Sequence, residues 1–156
     1  LYVALCNFAT NDPFVDRIGK MKVFHYGLIH AQNNWKNPEL LVLIFRFIKY
    51  VLRNGQMNEL FYEACIELLS SMDFSLPQLT VRVGKELREK SSPALVEILT
   101  VLGLACRNNR KFEVSITADK EFVTLIRDLT NEQEQGPSDD MIDAIASLPI
   151  EDILIS

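Results

Sequence analysis

The chain has 156 residues, 48% of them hydrophobic, and a formal net charge of −5, so it is long enough for one buried core and too short for two independent domains. Its longest apolar run, residues 40–52, contains two basic side chains and is shorter than the roughly 20 residues that cross a bilayer, so we expect neither a membrane span nor a secretory signal. A pI of about 5.1 and the lack of a run that interleaves aromatic and basic residues disfavour nucleic-acid binding.

One pattern recurs three times: an apolar helix ends in Asn, a short break follows, and a second, amphipathic helix contains a Phe. The Asn residues lie 43 and 54 residues apart, which is in the range of stacked helical repeats. The chain begins inside an apolar run without a polar cap, so we take its start as the end of a helix and the chain as a piece of a longer protein. The anchors are Asn11 with Phe24, Asn54 with Phe61, and Asn108 with Phe122.

The break between the first and second copies has clear helix boundaries. A helix is predicted over residues 21–32, and the segment that follows it contains Trp35, the single Trp of the chain, as a staple between copies or as an anchor for a partner. The next helix starts at Asn37-Pro38-Glu39, which supplies a cap, a first-turn proline and an acid at the positive helix end. Its residues 40–52 are apolar nearly all round, which predicts a central helix buried on most faces. The exceptions, Arg46 and Lys49, are expected to extend their charged ends to solvent.

The second copy continues with a turn and a two-sided helix. Asn54 and Gly55 tolerate a left-handed backbone and predict the turn. Apolar residues then recur at three- and four-residue spacing over residues 58–72, which predicts a helix with an inward face and a charged outward face. The predicted inward face is Leu60, Phe61, Ala64, Cys65, Leu68, Leu69 and Met72, and the outward face is Glu59, Glu63 and Glu67.

The third copy contains one additional helix. Ser75 and Gln78 resemble a capping box before a helix over residues 79–90, and Ser92-Pro93 starts another that extends to residue 107. Asn108 and Asn109 predict a turn. The paired second helix is predicted over residues 119–131.

The C-terminal part is acidic, with eight carboxylates and no Lys or Arg after residue 127. Residues 132–140 are predicted to be a linker, and Ser138 is expected to cap a short helix that Pro149 ends. The end of the chain, residues 150–156, resembles the short extended motif that adds a strand to ubiquitin-like modifiers such as SUMO. The alternatives are docking onto the last repeat, which would cover its apolar face, and docking by another chain. The predicted apolar face of the tail helix is Met141, Ile142, Ile145, Ala146 and Leu148.

Aligning the Phe anchors makes other positions equivalent across the copies. Ala31, Leu68 and Leu129 correspond and are predicted to lie in the core. Two further sets are predicted to face outward, and agreement across three copies supports the alignment. The outward sets are Tyr26 with Glu63 and Thr124, and His30 with Glu67 and Asp128.

These patterns resemble armadillo repeats, most closely in the first copy, residues 4–29, and the third, residues 102–126. The resemblance implies an all-α, right-handed superhelical stack, an armadillo-like α-solenoid of about three irregular repeats over residues 1–131. It further implies a groove lined by the last helix of each repeat, which binds extended peptides or partner helices. The chain departs from the family in lacking the Gly-Gly turn and the groove Asn. A linker over residues 132–140 and a helical extension over residues 141–156 follow the array.

Residues suited to catalysis or metal binding do not form a recognisable pattern. The two His residues, His25 and His30, lie on different helix faces without other metal ligands at suitable spacing. Gly-rich phosphate loops and nucleophile motifs are also missing from the sequence. The three cysteines are odd in number and lie at apolar helical positions, which is typical of reduced thiols in an intracellular protein, in the cytoplasm or nucleus. We therefore expect neither an enzyme nor a cofactor.

The sequence predicts a protein-interaction scaffold or adaptor whose partner is a protein, such as a basic or amphipathic helical segment. Residues 17–53 contain seven basic residues and one acidic residue. The first alternative is a self-assembly or autoinhibitory element, including a homodimer, in which the acidic tail occupies the basic or grooved surface of its own or a second copy. The second alternative is a nucleic-acid-binding repeat. The predicted partner-binding residues are Tyr26, His30, Glu59, Tyr62, Glu63, Glu67, Thr124 and Arg127.

Overall fold

The computed structural model describes residues 1, 2, 4, 22–53, 57–87 and 92–155. Within these residues the chain forms nine helices and no strand, so the all-α prediction is confirmed. The anchors Asn11 and Asn54 and the turn at Gly55 lie outside the described residues. Of the first helix of the first copy, only residues 2 and 4 are described, and both are helical. The helices are α1 (Val23–Asn33), α2 (Pro38–Leu52), α3 (Asn58–Met72), α4 (Leu76–Glu86), α5 (Ser92–Cys106), α6 (Arg110–Thr117), α7 (Lys120–Gln135), α8 (Asp139–Ala146) and α9 (Ile150–Ile155).

Side-chain caps lie at the predicted residues, but α4 begins at Leu76, three residues before its predicted start at residue 79. The Asn37 Oδ1 atom accepts a hydrogen bond from the Leu40 backbone N–H at 3.2 Å, and Ser75 Oγ accepts one from the Gln78 N–H at 3.4 Å. The capping box at Ser75 is incomplete, because the Gln78 side chain instead donates to Asp119 Oδ2 at 2.6 Å. This bond joins the N-terminal caps of α4 and α7, since Asp119 also caps α7. A local capping motif thus becomes a tertiary contact.

Helix α5 is the centre of the core. It packs most extensively against α2 and α8, and also contacts α3, α4 and α6. Its residues from Ala94 to Cys106 are nearly all buried, whereas α2 keeps part of its surface partly exposed around Arg46, Lys49 and Tyr50. The prediction that α2 is the central helix is therefore only partly right. The physical reason is that α5 has fewer polar side chains and can be covered on every side.

An ion cluster joins α2 to α5 inside this packing. Glu97 of α5 is only 8% exposed, and its carboxylate lies 2.8 Å from Lys49 Nζ and 3.5 Å from Arg46 Nε. The prediction that both basic side chains simply extend to solvent is wrong. A buried carboxylate is stable only with a paired charge, so α2 supplies the cations that α5 requires.

The acidic tail packs on its own chain. Helix α8 lies against α5 and α7, and α9 lies against α7. Ile153 of α9 is fully buried, Arg110 binds Asp152 at 3.2 Å, and Arg127 donates to the Leu154 carbonyl at 3.3 Å. Residues 150–155 are helical rather than extended, so the described conformation is the docked alternative and not an added strand.

The predicted linker over residues 132–140 is mostly helical. Helix α7 continues to Gln135 and α8 begins at Asp139, which leaves residues 136–138 as the connection. Ser138 precedes α8 as predicted, but its side chain makes no cap hydrogen bond, and its backbone N–H donates to Gln133 Oε1 at 2.8 Å. The polar sequence suggested a linker here, but the residues are polar because the last turns of α7 are exposed to solvent.

Candidate interaction surface

The predicted partner-binding residues of α1 and α3 lie on neighbouring helices. The rings of Phe24 and Phe61 pack edge to face with centroids 5.2 Å apart, which brings α1 against α3. At the surface, His25 Nε2 lies 2.6 Å from Glu67 Oε2. Tyr26 and His30 of α1 and Glu59, Glu63 and Glu67 of α3 are all exposed, and we call the exposed side of these two helices the α1–α3 face.

The two predicted residues of α7 have other contacts. The Thr124 hydroxyl donates to the Lys120 carbonyl of its own helix at 2.9 Å. The Arg127 guanidinium holds the Leu154 carbonyl of the tail. Helix α6 contacts both α7 and α3, so Thr124 and Arg127 are not brought beside the α1–α3 face.

The exposure of the side chains agrees with the predicted inward and outward positions, except on the predicted inward face of α3. Ala31, Leu68 and Leu129 are all buried, and both outward sets are exposed, so the predicted inward and outward positions of these residues are confirmed. The predicted inward face of α3 is too broad, because three of its apolar residues are at the surface. The exposed residues are Leu60 at 38%, Leu69 at 49% and Met72 at 40%.

An apolar groove lies beside this face, between α3, α6 and the start of α4. Its volume is about 130 Å³. One wall is α3, with Tyr62, Ile66 and Leu69, and the opposite wall includes Phe112, whose ring packs edge to face on Tyr62 at 6.1 Å. None of the described tail residues lines it. We call this the α3 groove; its lining is Tyr62, Cys65, Ile66, Leu69, Phe74, Ser75, Leu76, Pro77, Phe112 and Ser115.

The wall that α6 contributes to the α3 groove, Phe112 and Ser115, is missing from the sequence predictions, which include no helix over residues 110–117. The signal was present: Asn109 accepts a hydrogen bond from the Phe112 N–H at 3.1 Å, and Phe112 and Ile116 are spaced by four residues and both buried. An Asn cap followed by two apolar residues one turn apart predicts a short helix.

The α3 groove offers few free polar groups. The Ser115 hydroxyl donates to the Phe112 carbonyl at 2.7 Å, and the Ser75 hydroxyl caps α4. Glu59, Glu63 and Glu67 form an acidic stripe along α3, next to its apolar wall. Glu63 directly follows Tyr62 and Glu67 directly follows Ile66, and successive residues are about 100° apart around the helix. The sequence of α3 contains no Lys or Arg. The surface therefore combines an apolar slot with a carboxylate edge.

Two thiols lie in or near this region. Burial raises the pKa of Cys65, which lines the α3 groove, to about 12. Burial, with the nearby Glu113 carboxylate second, raises the pKa of Cys106 to about 12 as well. Both cysteines are free thiols. Their neutral form dominates at neutral pH, so neither is an activated nucleophile.

The raised pKa of Cys106 leads us to expect that the folded state loses stability at alkaline pH. The unfolded thiol ionises near 9.0 and the folded one near 12, so the folded state holds the extra proton between these values and stability falls as pH rises. Replacing Cys106 with Ala should reduce that slope by up to about 1.4 kcal/mol per pH unit. Urea unfolding at a series of pH values from 8 to 11 measures it.

The control for this prediction is Val101→Ala, which truncates another buried side chain of α5 without removing a titrating group. It should lower stability by a similar amount at every pH. Equal pH slopes for Cys106→Ala and the unmodified chain would contradict the assignment.

Other site chemistry is sparse in the described ranges. No group of three or more His, Cys, Asp or Glu residues there is arranged to hold a metal ion. No helix in the same ranges is both long and apolar enough to cross a membrane. A larger cavity of about 690 Å³ lies between α4, α5, α7 and α8, and its lining includes Lys85 and Ser92.

Comparison with known proteins adds no identification. No family model, no curated protein and no solved structure matches this chain. The armadillo resemblance thus remains a prediction from the repeat pattern.

Proposed function

We propose that this chain is a non-catalytic protein-interaction scaffold or adaptor, an armadillo-like stack of helices that binds a partner protein through the α3 groove and the acidic face beside it. The observation that carries the proposal is the exposure of Ile66 and Leu69, 42% and 49%, in the wall of an apolar groove. Apolar side chains grouped in this way, with a polar rim, are typical of protein-binding sites.

The packing order supports the stacked-repeat part of the proposal. Helices α2 and α5, which the sequence assigns to equivalent positions of successive copies, pack against each other, and so do α1 and α3. Stacking of equivalent helices is the basis of solenoid architecture. The free thiols of Cys65 and Cys106 support an intracellular location.

Burial of both Ile66 and Leu69 by a partner would contribute favourable free energy to binding. Burial of a whole Leu or Ile side chain contributes about 1.5–3 kcal/mol, so covering the exposed halves of Ile66 and Leu69 would contribute roughly 2 kcal/mol together. Tyr62 adds an aromatic ring at the groove wall, a residue type enriched at interface hot spots.

Affinity capture with quantitative mass spectrometry tests this function. Proteins bound by the intact chain should be lost with the Ile66→Asp/Leu69→Asp double variant, because two carboxylates would be desolvated in the groove. The matched control is Ile142→Asp, which alters an exposed apolar residue of α8, outside the groove. Far-ultraviolet circular dichroism checks that each variant is folded. If the groove variant and the control recover the same proteins in equal amount, the proposed function is wrong.

A further inference from the structure

We infer that the occupant of the α3 groove is a short amphipathic helix of a partner protein, with large apolar residues on one face and Lys or Arg along the adjoining edge. This inference rests on the proposed function. It adds the conformation and the charge of the segment that binds.

The conformation follows from the architecture around the groove. The described residues contain no strand, so they offer no sheet edge to which an extended peptide could add. The groove instead runs beside α3 and α6. A partner helix that binds such a groove contacts it through apolar residues one turn apart. From Tyr62 to Leu69 the helix rises about 10 Å, which matches roughly two turns of an occupant that inserts one or two apolar side chains.

The size and polarity of the groove exclude a drug-sized ligand. A volume of about 130 Å³ is well below the roughly 300–1,000 Å³ of small-molecule sites, yet it is sufficient for one or two side chains. The hydroxyls of Ser75 and Ser115 already bind backbone atoms. An occupant therefore gains by apolar contact inside the groove and by polar contact outside it.

The charge of the occupant follows from the edge of α3. Glu59, Glu63 and Glu67 recur every four residues, and like charges at this spacing destabilise a helix by a few tenths of a kcal/mol per pair. Only Glu67 has a partner among the described side chains, His25; the exposed Glu59 and Glu63 form no ion pair within the described residues. Basic side chains on the occupant would neutralise this edge and fix its register.

A displayed library of helical peptides tests the inference. The peptides carry fixed Leu residues at positions i, i+4 and i+7 and randomised residues along both flanks, and the intact chain is the bait. Enriched peptides should carry Lys or Arg along one flank. A synthetic peptide of the enriched sequence should bind at least about tenfold more weakly to Glu59→Lys/Glu63→Lys, with the loss reduced at high salt.

The matched control for charge is Glu132→Lys/Glu134→Lys, which makes the same net change on exposed residues of α7 and should alter binding less than about twofold. Enrichment of neutral or acidic flanks, or no enrichment at all, would overturn the inference. A self-association of the chain that Leu69→Asp abolishes would assign the groove to a second copy instead.

The two experiments separate this inference from the proposed function. If no basic helix binds but Ile66→Asp/Leu69→Asp still loses captured proteins, the groove is an interaction site and the inferred occupant is wrong. If capture is unchanged by that variant, the proposed function itself fails.

Discussion

Replacing Gly103 with Ala is expected to destabilise the chain by about 2 kcal/mol or more and to release the tail. A Cβ atom at Gly103 would lie 2.8 Å from the Ser147 backbone oxygen and 2.7 Å from Ser147 Cβ, distances that real Cβ atoms do not adopt. Backbone cannot rotate away as a flexible side chain can. Helix α8 would therefore have to move off α5.

Two measurements check the Gly103 prediction. Urea unfolding should show a lower midpoint, and limited proteolysis should show faster cleavage in residues 136–138, the connection between α7 and α8. The second readout matters because it locates the change at the tail rather than in the core as a whole.

The matched control is the same substitution at Gly27 of α1. A Cβ there would lie 3.8 Å from Ile44 Cγ2 and from Ile48 Cδ1, which is ordinary contact, and Ala is favoured over Gly inside a helix by up to about 1 kcal/mol. Gly27→Ala should therefore be neutral or stabilising. A Gly103→Ala chain as stable as Gly27→Ala would show that α8 does not approach α5 this closely.

Replacing Glu97 with Gln is the second large effect, with an expected loss of about 3 kcal/mol. The substitution keeps the size of the side chain and removes the charge that faces Lys49. The Lys49 side chain is only 14% exposed, so its ammonium group would remain largely buried without a counter-ion. Thermal and urea unfolding measure the loss.

A double variant distinguishes charge pairing from packing. Lys49→Met/Glu97→Leu replaces both charges with apolar groups, and exchanging a buried ion pair in this way is often neutral or stabilising. The double variant should recover most of the stability that Glu97→Gln loses, since Arg46 is 42% exposed and can turn to water. If the double variant is less stable than Glu97→Gln, the contribution of Glu97 comes from shape and not from charge.

The helix boundaries were largely predictable because their causes are local. An Asn or Ser that caps its own helix needs only the next three residues, so the starts of α2 and α4 follow from Asn37 and Ser75. The turn after α5 is equally local: Asn108 has a φ of 58°, the left-handed backbone that the sequence predicts. Helix α3 has the predicted bounds because three- and four-residue spacing is a property of a single segment.

The candidate site was predictable only in part. The acidic stripe of α3 and Tyr62 followed from helical periodicity, and the outward position of Tyr26 followed from the alignment of the Phe anchors. The groove did not, because its second wall comes from α6, and because Leu69 has the same spacing as the core residues yet is exposed. Periodicity marks an apolar face without stating how much of that face a neighbouring helix will cover.

The sequence by itself therefore determined the all-helical class, most helix limits and the buried positions of Ala31, Leu68 and Leu129. Only the tertiary structure decided that Glu97 pairs with Lys49, that the tail docks in a helical form through Ile153, and that Gly103 lies against α8. The division has a physical reason. Caps and periodicity act within a few residues of one segment, whereas counter-ions, grooves and close helix contacts depend on which segments meet, and burial across the whole core sets that choice.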